Sequence, residues 1–491
     1  MSVELTRDQL IQALKSKDIK VKALNYSRER IVFKGVAFNS KEIKGGELFI
    51  ALKGTKHHGH QFAEEALARG ASLVLVEDES FLNKNSPDSA RYLYTPDTLK
   101  AFWALAQWWL KEVSVPVLAI TGSVGKTTVK ELCAALLLQK NVGCYSKASY
   151  NNYVGVPYTV LNLKKDHKWL VVELGMNKPE EIKNLSKLVS PTVGVITTVA
   201  PAHTETFNTV EDIAKEKLSI TSGMKKGSPL VLNGDNSYIK NYIKNFKDTL
   251  EDYPLYFFGK EEGAHCRFLS FNTLGFEGIK GELEITLQGS KTVVPIESRL
   301  VGAHTYYNIA CAVLSSLLIE PALSAEDIKT AVKNFVSPYM RMNVVKIAED
   351  KIVVNDCYNA NPASMEAALN VVKESVKEGK KVGAILGDMK ELGKNSASYH
   401  QQISLMAKRS GLSFLIAVGD YAKDLVSAFK DKEEKSSKAE KHALAPCFIA
   451  ESPVAAANIA LKLEWDVLLI KGSRAVELEN AFERILQEKQ E

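Results

Sequence analysis

Short apolar runs and helical periodicities alternate along most of the chain, and the rhythm changes twice. Up to about Ser114 the apolar runs are brief, as in Leu48 to Leu52 and Ser72 to Val76, with Gly- and His-rich turns between them and a helical pattern from Gln61 to Arg69. This predicts a small α/β module. Thr98 to Val113 reads as a helix carrying Phe102, Trp103, Trp108 and Trp109, aromatic side chains whose first use is packing. It should end before Pro116, because proline disfavours helix at the residue preceding it. From Val117 the apolar runs become continuous: Val117 to Ile120, a helix from Lys126 to Gln139, then Trp169 to Val172 and Val193 to Thr197. Such strands separated by helices predict a parallel sheet covered on both faces.

Between about Leu255 and Leu300 strict alternation takes over, with Leu283, Ile285 and Leu287 set against Glu282, Glu284, Thr286 and Gln288. Strands there should be antiparallel and half exposed. A third rhythm begins after Ser337-Pro338, with strands at Ile352 to Val354, Val382 to Leu386, Phe414 to Val418 and Val467 to Ile470, each followed by an amphipathic helix. The expected fold is therefore α/β in three domains, residues 1–114, 115–337 and 338–491, the last resembling a Rossmann-like nucleotide-binding sheet. Lys430 to Lys441, dense in Lys, Glu and Ser, reads as a solvated loop or ragged helix end.

Composition agrees with this count: 491 residues at roughly 150 per domain suggest three, and 45% apolar with 25% charged content is that of a folded chain. A net charge of +5 over this length is too weak for a nucleic-acid footprint, so no nucleic-acid partner is expected. The six cysteines lack CxxC spacing and read as reduced thiols. The first residues carry no apolar signal region, and the longest greasy stretch, Ala101 to Leu110, is broken by Gln107 and is half of the roughly 20 residues a membrane span needs. A cytoplasmic protein that does not span a membrane is the expectation.

The sharpest chemical signal is Thr121-Gly122-Ser123-Val124-Gly125-Lys126-Thr127-Thr128, between an apolar strand and a helix. Glycines there let the backbone approach a polyphosphate, and successive N–H groups at the helix start face it. Lys126 supplies a point charge and the Thr127 hydroxyl can ligate magnesium. Ile120 stands where the full Walker pattern has its first glycine. The loop makes the central domain a P-loop NTPase-like unit with a small antiparallel addition, and by itself it leaves kinase, ATPase, GTPase switch and ligase open. Glu173 and His203 each follow a predicted strand, so both can lie at the carboxyl ends of parallel strands, where open α/β sheets place their ligands. An oxygen donor and an imidazole could hold magnesium, although imidazole is a soft ligand for that ion. A surface carboxylate and a satisfied core histidine are the alternative.

Taken in order, the motifs resemble the ATP-dependent Mur ligases of peptidoglycan synthesis over nearly the whole chain. After Thr121 to Thr128 come Asn151-Asn152-Tyr153-Val154-Gly155-Val156-Pro157, Glu173-Leu174-Gly175-Met176, Ala202-His203-Thr204-Glu205-Thr206-Phe207 and Ile213-Ala214-Lys215-Glu216-Lys217. Gly302-Ala303-His304, Asn308, Arg341, Asp356 to Pro362, Gly387 to Gly393 and Lys471-Gly472-Ser473-Arg474 complete the series. The strings Tyr358 to Pro362 and Gly387 to Gly393 single out the family member that adds D-alanyl-D-alanine. In the first domain Gly46 to Gly54 and Gly59 to Phe62 resemble the family's uridine-nucleotide domain, with Asn39-Ser40-Lys41 in place of Asp-Ser-Arg and His58 in place of Asp.

The resemblance implies an ATP-dependent ligase acting on UDP-MurNAc-tripeptide and D-alanyl-D-alanine. The tripeptide carboxylate attacks the ATP γ-phosphate, and the dipeptide amine then displaces phosphate from the acyl phosphate through a tetrahedral intermediate. It places ATP on Gly122, Ser123, Val124, Gly125, Lys126, Thr127 and Thr128, with Asn308 and His304 at the adenine, Asp356 at the ribose and Arg341 at the phosphates. Two magnesium ions would be held by Thr127, Glu173, His203 and a Lys217 carbamylated by carbon dioxide, which makes Lys126, Lys217, His203 and Arg341 the catalytic set. Asn151 and Asn152 would meet the uridine-linked substrate, and Asn359 and Asn361, with Asp388 and Glu391, would close on the peptides. Asn308 and His304 are expected on a loop entering a helix from Tyr306 to Leu318, and the enzyme is expected to be a monomer. Two rivals stay open: a sister ligase or folylpolyglutamate synthase with another amine, and a phosphate-loop protein that no longer ligates.

Overall fold

The computed structural model describes residues 3–23, 30–54, 58–82, 89–430 and 445–488, so all of the charged run except Lys430 lies outside the described residues. The strands form three large sheets and one two-stranded ribbon. Near the amino terminus a five-stranded sheet runs Lys22–Ala23, Tyr92–Tyr94, Leu73–Val76, Leu48–Ile50 and Val36–Ala37, parallel except at its first pair. The helix Thr98–Val113 then leads to the central sheet. It starts at the Asp97 cap, whose carboxylate accepts from Lys100 N at 2.8 Å, and ends with Ser114 in the left-handed region. Its tryptophans pack as expected. Trp109 is buried and donates to Leu163 O at 3.0 Å, while Trp103 stacks on Tyr153 and donates to that residue's carbonyl at 2.8 Å.

The central sheet has nine strands, and the strand leading into the phosphate loop, Val117–Thr121, lies between Leu170–Glu173 and Val193–Ile196, parallel to both. Its side chains alternate between two cores: Val117 and Ala119 face one, Leu118 and Ile120 the other, where the helices Lys126–Leu137 and His304–Ile319 pack. Burial on both faces is why the run reads as continuously apolar. Leu255–Gly259, expected among the antiparallel strands, instead extends the parallel sheet against Leu230–Asn233 and Cys266–Thr273. It lacks polar alternation because the His304–Ile319 helix covers it. The antiparallel ladder is Cys266–Thr273, Ile279–Leu287 and Ser290–Ser298, with Ile279, Leu283 and Ile285 buried and Lys280 and Glu282 exposed.

A six-stranded sheet follows, ordered Asn343–Lys346, Ile352–Asp356, Val467–Lys471, Val382–Gly387, Phe414–Val418 and Cys447–Ala450, all parallel except the first strand. Its four central strands are those the apolar runs predict. The two edge strands, one with polar residues at both ends and one a four-residue apolar run, are not among the strands the sequence reading named. All six cysteines are free thiols, and among the described residues no helix is long and apolar enough to cross a membrane.

Candidate active site

Strand, loop and helix build the phosphate loop as the motif requires. Gly122 has φ +152° and Gly125 φ +87°. A Cβ on the first would lie 1.9 Å from Thr197 Oγ1, and on the second 2.5 Å from Asn308 Oδ1, so both positions need glycine for space as well as conformation. Thr197 Oγ1 donates to Val124 O at 2.5 Å, and Ser123 Oγ donates to Ala200 O at 3.0 Å, which ties the loop to the end of the neighbouring strand. Lys126 folds back to donate to Gly122 O at 2.7 Å.

Around the loop lies a cleft of about 350 Å³. Of the residues the motifs nominate, Ser123, Val124, Gly125, Lys126, Thr127, Thr128, Asn151, Asn152, Glu173, His203, Asn308, Arg341, Asp356, Asn359 and Asn361 all line it. Gly122 and Lys217 do not. Thr127 Oγ1 donates to Glu173 Oε2 at 2.9 Å, and Asn151 Nδ2 donates to Glu173 Oε1 at 2.8 Å. Glu173 is 1% exposed and makes no ion pair among the described residues. Asn152 caps its own turn, accepting from Val154 N and Gly155 N at 3.1 and 2.9 Å. Asn308 and His304 sit within the helix His304–Ile319 rather than on a loop before it. The turn at Gly302, φ +91°, lets the helix begin two residues earlier than its apolar pattern.

The six-stranded sheet closes the far wall. Arg341 Nη2 donates to Thr127 Oγ1 at 3.1 Å, its guanidinium 4.1 Å above the Tyr358 ring. Asn361 caps the helix Pro362–Lys377 by accepting from Ser364 N, and its amide reaches Ser123 O at 3.4 Å. Asp356 is held by the buried Lys471, Nζ to Oδ2 2.6 Å, which also donates to Asn359 O at 3.1 Å. His203 Nδ1 lies 2.7 Å from Glu391 Oε2, and Thr204 Oγ1 donates to Leu392 O at 3.1 Å. The His203 hydrogen bond holds the Glu391 carboxyl below its ordinary pKa. Asp388, nominated for peptide contact, is 1% exposed and spends its oxygens on Asp420 N, Tyr421 N and Lys390.

Lys217 stands one layer behind the cleft wall. It is 1% exposed, with Nζ 3.7 Å from Met176 Sδ. Burial, with the Lys126 charge adding to it, pushes its amine well below the usual lysine pKa. Burial also lowers Lys126, offset in part by Glu173. Glu216, beside Lys217, is buried too: it accepts from Glu180 N and Ile182 N at 2.9 and 3.0 Å and so caps the helix Glu181–Val189. Among the described residues no three His, Cys, Asp or Glu side chains gather as a metal cluster. Sequence reasoning missed the Tyr358 stack and the Lys471 pairing, because each joins residues far apart in the chain. In the turns beside the first sheet, Asn39 accepts from Lys41 N at 3.1 Å and His58 Nδ1 meets His60 Nδ1 at 2.7 Å, so both departures from the family motif are engaged locally.

A phosphate loop on a parallel sheet, faced across one cleft by an arginine and an asparagine from a separate α/β sheet, defines a multidomain nucleotide-dependent enzyme that assembles its site between sheets. Family models agree in sequence: the Mur ligase middle domain matches residues 120–316, the Mur ligase glutamate ligase domain 340–474 and the Mur ligase catalytic domain 32–99. The UDP-N-acetylmuramoyl-tripeptide–D-alanyl-D-alanine ligase of Escherichia coli is 32% identical over 93% of this chain and 94% of its own. The enzyme of the same name from Bacillus subtilis is 28% identical over 96% of each chain. The chain belongs to the Mur ligase family. Among solved structures, the MurF ligase of Thermotoga maritima in complex with ADP superposes with a TM-score of 0.75 at 25% identity, over 93% of this chain and 98% of that one. MurF of Acinetobacter baumannii, 24% identical, shares the fold over 99% of both chains with a TM-score of 0.82.

Proposed function

We propose that this protein joins D-alanyl-D-alanine to UDP-MurNAc-tripeptide in the cytoplasm with cleavage of ATP to ADP and phosphate, acting as a monomer. The observation that supports this most is the shared cleft, where the phosphate loop and Glu173 face Arg341 and Asn361 from the other sheet. A switch protein needs only the first half of that arrangement. The relatives of similar length act on this tripeptide and this dipeptide, and the Tyr358 to Pro362 and Gly387 to Gly393 strings lie at the cleft or support it.

Bringing a carboxylate to a triphosphate juxtaposes anions, so the site has to present positive charge before the reaction begins. Lys126 does this from the helix start, and Arg341, placed over the Tyr358 ring, offers a planar fork to the transferring phosphoryl group. Thr127 and Glu173 fit a hard divalent cation: both are oxygen donors, and Glu173 is a buried anion without an ion pair among the described residues. Thr127 and Glu173 would hold a magnesium ion there, which would supply positive charge to the triphosphate. His203 would contribute to a second ion, together with Lys217 as its carbamate. Burial favours the unprotonated Lys217 amine, which is the form that combines with carbon dioxide. Asn308 and His304 take the adenine end, Asp356 the ribose, Asn151 and Asn152 the uridine-linked substrate, and Asn359 and Asn361 the peptides.

The test is isotopic. Tripeptide substrate labelled with oxygen-18 in its reacting carboxylate should transfer one label to the released phosphate, because that oxygen bridges carbon and phosphorus in the acyl phosphate. Unlabelled phosphate alongside pentapeptide product would contradict the mechanism, and absence of pentapeptide would contradict the function.

A further inference from the structure

Lys130 lies one turn beyond Lys126 on the phosphate-loop helix, is 0% exposed and does not line the cleft. Its Nζ donates to Ser146 O at 2.5 Å and to Ala148 O at 2.7 Å, and pairs with Glu131 at 2.9 Å. Both carbonyls belong to the segment that leads to Asn151, and Ala148 is held there at φ +44°, a conformation that alanine seldom adopts. The same segment reaches the acid: Ser146 Oγ accepts from Glu173 N at 3.3 Å, Asn151 Nδ2 donates to Glu173 Oε1, and Asn151 O accepts from Gly175 N at 2.8 Å. Thr127, on the helix that carries Lys130, binds the other Glu173 oxygen. A closed circuit results, running from Lys130 through the 146–151 segment to Glu173 and back through Thr127.

Burying a lysine amine is unfavourable, and replacing a whole buried pair by apolar groups is often neutral or stabilising, whereas removing one partner alone is costly. A packing role alone would not call for lysine here. We propose that Lys130 is a positioning residue: by pinning the 146–151 segment to the phosphate-loop helix, it fixes the carboxylate of Glu173 toward Thr127 and so sets the affinity for a metal–nucleotide complex. The inference rests on the nucleotide reading of the cleft, and its test separates the two.

The experiment is calorimetric binding of ADP, with and without magnesium, to wild-type protein, Lys130→Met and Lys130→Arg, together with the melting temperature of each. The expected result is a lower melting temperature for Lys130→Met, which leaves two carbonyls and Glu131 without their partner, and a dissociation constant for ADP with magnesium raised about tenfold in the folded protein. Metal-free ADP should bind it as it binds wild type, and Lys130→Arg should recover part of the loss. Equal magnesium-dependent binding by wild type and Lys130→Met would overturn the proposal, as would a weakening of ADP binding that is the same with and without the metal. If Lys130→Met fails to fold, Lys130→Gln decides: a magnesium-specific loss supports positioning, and wild-type binding overturns it. Failure of the wild type itself to bind nucleotide would instead remove the nucleotide reading.

Discussion

Lys217 occupies an environment that works against its own charge. Its pKa is lowered in the folded state, so the unfolded chain binds more protons, and stability should rise with pH up to the ordinary lysine value of about 10.4. In buffer depleted of carbon dioxide, Lys217→Met should therefore melt above wild type at pH 7, with the gap shrinking as pH approaches about 10. A constant gap, read from melting curves across that range, would mean the amine is charged in the fold. None of this burial was legible in sequence. Lys215 and Glu216 beside it suggest a solvated helix face, and only the packing of Met176 and the capping role of Glu216 turn that face inward. Lys126 and Thr127 were legible because their role depends on local spacing, whereas the pairings of Arg341 with Tyr358 and Asp356 with Lys471 depend on tertiary placement.

At the scale of elements, the strand, loop and helix at residues 117–137 follow from the apolar run and the glycines. Gly122→Ala should abolish magnesium-dependent nucleotide binding, since its Cβ would collide with Thr197 in a backbone conformation closed to alanine. Nucleotide affinity near wild type would show that the loop can rearrange. The helix Ala325–Asn334 carries a capping box in which Asp327 binds Ser324 and also pairs with Lys140 at 2.7 Å. Lys140 and the Ser324 hydrogen bonds pull the Asp327 pKa to about 2. The stabilisation is then fully present above the unfolded aspartate value of about 3.9 and is lost as pH falls through the folded one. Asp327→Ala should destabilise by roughly 0.3 to 1 kcal/mol at pH 7 in denaturant titrations, and by less toward pH 2. The one strand misassigned in direction, Leu255–Gly259, shows what periodicity leaves out: a short apolar run fits a buried parallel strand or an antiparallel one until its neighbours are known.

In the whole molecule, four hydrogen-bonded pairs join the central and carboxyl-terminal parts at the cleft, Arg341 with Thr127, Asn361 with Ser123, His203 with Glu391 and Thr204 with Leu392, and away from it Phe276 packs on the carboxyl-terminal core. Interfaces between domains of one chain commonly permit relative motion, and lid or domain closure completes many enzyme sites. The chain motifs nominated residues on both sides of the cleft but not the pairs they form, and the Ser337-Pro338 junction gave no sign of how tightly the sheets meet. Glu391→Gln should enlarge the radius of gyration of the ligand-free protein, and ADP with magnesium and tripeptide should restore compaction, both measured by small-angle scattering. Identical profiles in all states would mean that the sheets are fixed.

The most direct test of the ligase assignment is phosphate release from ATP with magnesium and UDP-MurNAc-tripeptide, with D-alanyl-D-alanine present or omitted, followed by mass spectrometry of the products. Release that requires both substrates, with one UDP-MurNAc-pentapeptide per phosphate, is the predicted result. Release that ignores the dipeptide and yields no pentapeptide would contradict it.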